Sequence, residues 1–161
     1  MRVVANAGPL IAMARIGQFD LLQSLYGQIY IPPSVRAEVA ISGRDRPGAE
    51  EVGIASWIHV VDVRDMTAVQ LLRERLDASE SEAIVLAIQI EAGLLLIDEA
   101  RGRRLAEARG LHKTGTIGTL IMAKRRGLIS AVTPLLDDLR TSGFRMGVDL
   151  YHEALRLAGE G

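Results

Sequence analysis

The chain has no cysteine among its 161 residues, which excludes disulfides and any zinc site built on thiolates. Aromatic residues make up only 4%, so a core must come from Leu, Ile, Val and Ala. No apolar run approaches the roughly 20 residues that cross a bilayer as a helix. The three histidines, His59, His112 and His152, are scattered without ligand spacing. "GTIGTL" at 115–120 lacks the lysine and the spacing of a phosphate-binding P-loop. No glycine-rich dinucleotide fingerprint follows the first strand, and no Ser/His/Asp triad can be picked out. Arg2 and the apolar stretch after it resemble a signal peptide only faintly, because Asn6, Gly8-Pro9 and Arg15 break the pattern. A cytoplasmic protein that does not enter the membrane is expected.

What is present fits one globular domain over 1–161, with 48% apolar and 24% charged residues. The net charge of −1 points to no partner by itself. Its distribution is more informative. Between Asp77 and Glu99 lie six acids and no Lys or Arg; between Arg101 and Arg126 lie eight bases and one acid, Glu107. Such a sign change can set an acidic pocket beside a basic rim, or mark the solvated faces of ordinary helices.

Strand and helix patterns alternate along the chain. A strand at about 2–6 leads to helices at about 9–15 and 18–25. "GQIYIPPSVRAEVA" reads as a strand over 28–31, a Pro-Pro break and a helix from about 34 with Ser34 as N-cap. "SGRDRPGAEE" reads as a polar loop ending in a helical turn, "WIHVVDV" as a third strand, and 65–76 as amphipathic. "SESEAIVLAIQIEAG" is apolar on nearly all sides, so it reads as a buried helix stopped by Gly93. "LLLID" is a buried strand ending on Asp98, followed by a basic helix with its own glycine stop and by a short strand in "LHKTGTIG". There Thr114 or Thr116 is the expected cap of the next helix. Helices at about 117–126, 132–141 and 147–157 complete the chain. Repeated βα units predict an α/β fold, a parallel sheet with helices on both faces.

Four residues stand where such a fold concentrates chemistry. Asn6 and Asp98 end two buried strands, Glu38 lies on the helix after the second strand, and Glu80 opens the buried helix. Clustered carboxylates repel unless a cation sits among them, and a hard ion such as Mg²⁺ or Mn²⁺ suits oxygen donors. Ser79 and Glu82 have the spacing of a capping box, which gives Glu82 a structural task and leaves Glu80 free. Asp98 has an alternative use as the cap of the helix that follows it.

Read together, "PLIAMARIG", "IYIPPSVRAEV", "SEAIVLAIQIEAGLLLIDEARGRRLAEARGL", "GTIGTLIMAKRRGLI", "PLLDDLRTSGFRM" and "LYHEALRLAGE" resemble the PIN-domain family in order and spacing over almost the whole chain. Within it they look like a subgroup of predicted nucleic-acid-binding proteins that open with Ser-Asp-Thr-Ser-Pro-Leu. The resemblance implies a three-layer α/β/α fold on a five-stranded parallel sheet, with the C-terminal helices of about 132–157 as an extension. It implies a Mg²⁺- or Mn²⁺-dependent endoribonuclease acting on RNA, often the toxin of a toxin–antitoxin pair and often a homodimer. The family's metal-binding acids map onto Asn6, Glu38, Glu80 and Asp98, with Glu38, Glu80 and Asp98 as the catalytic carboxylates. Asp98 lies eleven residues after Ala87, in keeping with the family's spacing. Arg101, Arg103 and Lys113, the bases nearest the site, are expected to contact RNA phosphates.

The likeness fails at its first motif. Where the family carries Asp this chain carries Asn6, and Ala7 and Gly8 replace the hydroxyl residues that usually follow. An amide oxygen can ligate a cation, but it brings no charge and cannot act as a base. Two functions therefore compete: a metal-dependent ribonuclease weakened at this position, and a catalytically silent PIN fold that binds RNA or a protein partner. An unrelated α/β binder is the third alternative.

Overall fold

The computed structural model describes residues 1–42 and 45–161. Gly43 and Arg44, within the stretch expected to be a polar loop, lie outside the described residues. Five short strands, β1 (Val3–Ala5), β2 (Ile29–Ile31), β3 (Ile58–Val60), β4 (Leu94–Leu96) and β5 (Lys113–Thr114), form one sheet. Their order is β3-β2-β1-β4-β5, and every pairing is parallel. β1 and β4 pair in the register Val3↔Leu94, Val4↔Leu95 and Ala5↔Leu96. All three residues of β1, and Leu95, Leu96 and Ile97 of the β4 run, are completely buried. A parallel strand covered on both faces must be apolar throughout, and that is why "LLLI" does not alternate.

The chain runs from β1 outward to β2 and β3, then returns across the sheet to β4 and β5. Parallel crossovers are right-handed, so this reversal puts the connecting helices on opposite faces. α1 (Ala7–Arg15) and α2 (Asp20–Tyr26) connect β1 to β2 and pack with α8 (Thr116–Arg125). α5 (Met66–Leu72), α6 (Ala78–Gln89) and α7 (Ala100–Ala108) pack together, and α3 (Pro33–Arg36) abuts α6. A π-helical segment (Ala37–Ser42) extends α3, and α4 (Ala49–Ile54) leads toward β3. α9 (Thr133–Thr141) and α10 (Val148–Leu157) follow α8.

The core is aliphatic, as the scarcity of aromatics predicts. Its aromatic content is the buried pair Phe19 and Trp57, with ring centroids 5.2 Å apart. The described helices match the expected ones to within a few residues, with corrections at their ends. Pro32, rather than Ser34, stands at the N-cap of α3. α6 is capped by Asp77, whose carboxylate accepts from the Glu80 N–H at 2.8 Å. The positive φ that follows α6 falls on Glu91 (51°) rather than on Gly93. Gly93 instead lies against the N-terminus, its N–H donating to the Arg2 carbonyl at 2.8 Å.

Candidate active site

The sheet order reverses between β1 and β4, the place where open α/β sheets leave a crevice beyond their strand ends. Asn6 and Asp98 both stand there. The Asn6 N–H continues the ladder by donating to the Leu96 carbonyl at 2.9 Å. Its side chain is buried at the N-cap of α1, yet accepts no bond from that helix.

Asp98 is tied to the start of α8. Thr116 donates its backbone N–H to Asp98 Oδ1 at 2.7 Å and its hydroxyl to Oδ2 at 2.7 Å. Gly115 makes this approach possible, because a Cβ there would fall 2.5 Å from Asp98 Oδ1 and 3.0 Å from Arg103 Nη1. Burial pushes the Asp98 pKa up, while the two Thr116 bonds and the Arg103 charge hold it down. Asp98 thus accepts from the first N–H of α8 rather than capping the helix immediately after it. Thr116 is the donor in that contact and not the cap itself, which is Gly115.

Glu80 lies in the first turn of α6 and is 7% exposed. Gly102 of α7 makes room for it: a Cβ at that position would come within 2.8 Å of Glu80 Oε2. Burial raises the Glu80 pKa to about 7, and the Asp77 and Glu99 charges add to the rise. Glu99 also raises the pKa of Asp98, so its carboxylate acts on both acids.

Glu38 sits at the start of the π-helical segment, a geometry frequent at functional sites. Its Oε1 accepts from the Ser79 hydroxyl at 2.7 Å. Ser79 also donates toward the Ser34 carbonyl at 3.2 Å. The residue next to Glu80 therefore tethers Glu38 to the start of α6. Glu82 does not close a capping box with Ser79. It reaches α3, accepting from the Ser34 N–H at 3.1 Å and from the Ser34 hydroxyl. The idea that Glu82 is structural holds, but its partner is another helix.

The donors suit a hard divalent cation. All are oxygens, and Asn6 Oδ1 and Glu80 Oε2 are buried acceptors with no hydrogen-bond partner among the described residues. Buried acceptors normally find a partner, so these two orphans fit an ion or its water. The cage is not preassembled: among the described residues no three His, Asp or Glu side chains are grouped closely enough to hold a metal. Asn6 also supplies no charge where a fourth carboxylate would help.

Arg103 and Lys113 line one cleft of about 600 Å³ with Asp98. Arg103 donates to the Ile97 carbonyl at 3.5 Å, and Lys113 pairs with Glu107 at 3.3 Å. Arg101 does not line this cleft; its guanidinium donates to the Arg75 carbonyl at 3.0 Å. Arg104 and Arg145, which sequence reasoning did not single out, do line it. The basic run at the end of α8 is structural: Lys124 bonds the Ala158 carbonyl and Glu160, Arg125 the Leu157 carbonyl, and Arg126 the Leu25 carbonyl.

Comparison with curated proteins finds no match. A family model described as a PIN domain matches residues 2–160, nearly the whole chain. The all-parallel five-stranded sheet with its flanking helices is consistent with that family, and the chain is a member of the PIN-domain family.

Proposed function

We propose that this protein is a divalent-metal-dependent endoribonuclease whose site is formed by Asn6, Glu38, Glu80 and Asp98. PIN domains have a nuclease fold, generally use divalent metals and typically bind nucleic acids. The observation that carries the reading is that two of the proposed ligands, Asn6 Oδ1 and Glu80 Oε2, are buried oxygens with no hydrogen-bond partner among the described residues. A bound Mg²⁺ or Mn²⁺ would activate water and offset charge on the phosphate. Glu38, Glu80 and Asp98 would hold it, with the Asn6 carbonyl as a neutral donor.

The chain's own groups then have distinct tasks. Thr116 fixes the orientation of Asp98. Ser79 orients Glu38. Arg103 and Lys113 offer cations to the RNA backbone from the adjoining cleft. A role as a toxin held in check by an antitoxin protein, and assembly as a homodimer in the cytoplasm, extend the same reading.

Asn6 favours one second reading, a catalytically silent PIN fold that binds RNA or a protein partner. The missing carboxylate weakens cation binding and the activation of water. Cleavage of mixed RNA in Mn²⁺ by this chain and by Asn6→Asp separates the two. Activity in both, higher in the variant, supports the ribonuclease. Activity in Asn6→Asp alone assigns the natural chain to the silent class. Activity in neither contradicts the metal site.

A further inference from the structure

The lining of the cleft beside Asp98 combines two unlike sets of residues. One is Arg103, Arg104, Lys113 and Arg145, and among the described residues neither Arg104 nor Arg145 is paired with a carboxylate. The other is apolar, with Phe144 from the α9–α10 connection and Leu150 and Leu157 from α10. Phe144 is half-buried against the core, while Leu150 and Leu157 are 47% and 44% exposed, so the core does not account for those two. A volume of about 600 Å³ is ample for a planar ring system together with its anionic group.

We propose that this cleft is a nucleotide subsite: it takes one unpaired base of the RNA against Phe144 and Leu150, with the adjoining phosphate held by Arg103 and Arg145. The proposal rests on the reading of RNA as substrate and makes that base the specificity-determining one. The occupant follows from the pairing of these two sets. Cations alone would serve any polyanion, and an apolar face alone would serve any hydrophobic segment. An apolar lining beside unpaired guanidinium groups is complementary to a base linked to a phosphate. Asp98 lines the same cleft, so the bound nucleotide lies beside that acid. A base paired in a duplex cannot enter.

Binding in EDTA tests this without cleavage. The probes are a fluorescein-labelled single-stranded RNA octamer, its duplex, and octamers with one abasic site at each successive position, read by fluorescence anisotropy. The octamer is expected to bind at least about tenfold more tightly than its duplex, and loss of one particular base should weaken binding about tenfold. Phe144→Leu keeps apolar packing but removes the ring. It should weaken the intact octamer by a similar factor and abolish the distinction between it and the critical abasic octamer. Arg145→Gln, at an exposed position, should lower the salt slope of log K by about one phosphate contact. Equal binding of all abasic octamers, or a base effect unchanged in Phe144→Leu, would overturn the subsite while leaving RNA as substrate intact. No binding of any RNA would overturn both. Phe144-dependent binding of an acidic Leu/Glu peptide without a base effect on RNA would overturn it in favour of a protein partner.

Discussion

Thr116 holds both oxygens of Asp98, the backbone N–H on Oδ1 and the hydroxyl on Oδ2, each at 2.7 Å. One residue at the start of α8 thereby fixes the carboxylate that ends the β4 run. The contact leaves lone pairs of both oxygens available, because an ionised carboxylate offers about four acceptor positions. Thr116 is completely buried, so its hydroxyl has no solvent alternative. Thr116→Val keeps the shape and removes one donor from a charged acceptor, at an expected cost of about 2 kcal/mol. Thr116→Ser should cost less than half of that and retain activity. Chemical denaturation of the two variants measures the difference; equal stabilities would mean that the hydroxyl does not hold Asp98.

Glu80 is a burden on the metal-free fold. Its pKa of about 7 means that ionising it in the folded chain is harder than in the unfolded one. The folded state binds the extra proton between the ordinary glutamate range and about 7, so stability falls as pH rises through that window and is level above it. Glu80→Gln should melt higher than the natural chain at pH 8 in EDTA, and the gap should close by about pH 4. Glu80→Gln should also abolish RNA cleavage. A wild-type gap independent of pH would contradict the burial argument.

At the C-terminus, Glu160 works in the opposite sense. Its Oε2 accepts from Lys124 Nζ at 2.9 Å and the Val132 N–H at 2.8 Å, and its Oε1 accepts from the Thr133 N–H at 3.0 Å. Burial opposes the charge, but these bonds prevail and bring the pKa down to about 2. A depressed pKa stabilises the fold above the ordinary glutamate range, and that contribution is lost as pH falls toward 2. Glu160→Gln should lose about 2 kcal/mol at pH 7 and nearly nothing at pH 2. Thermal melts at the two pH values check this. Because α10 supplies Leu150 and Leu157 to the lining of the cleft, the variant should also bind RNA more weakly.

The sheet and the buried helix were legible because their signals are local. Val3–Val4 and "LLLI" are unbroken apolar runs, and the apolar residues of α6 leave no polar face. Cap positions were not, because several residues near each helix start were chemically eligible. Asp77, Ser79 and Glu82 all suit the entry to α6, and tertiary partners decide among them. Ser79 is drawn to Glu38, Glu82 to Ser34, and Asp77 is left as the cap. Asn6, Glu38, Glu80 and Asp98 could be chosen by strand-end position and family spacing. Thr116, Arg145 and Phe144 could not, since each acquires its role from a contact or a cleft assembled across distant elements.

The central claim is that Asn6 and Asp98 face one cation site. Isothermal titration of Mn²⁺ into the natural chain, Asn6→Asp and Asp98→Asn tests it most directly. A single carboxylate beside a divalent ion contributes on the order of a kcal/mol or more, so Asn6→Asp should tighten Mn²⁺ at least about tenfold. Asp98→Asn should weaken it by a similar factor or abolish it. Identical Mn²⁺ binding by all three proteins would contradict the account.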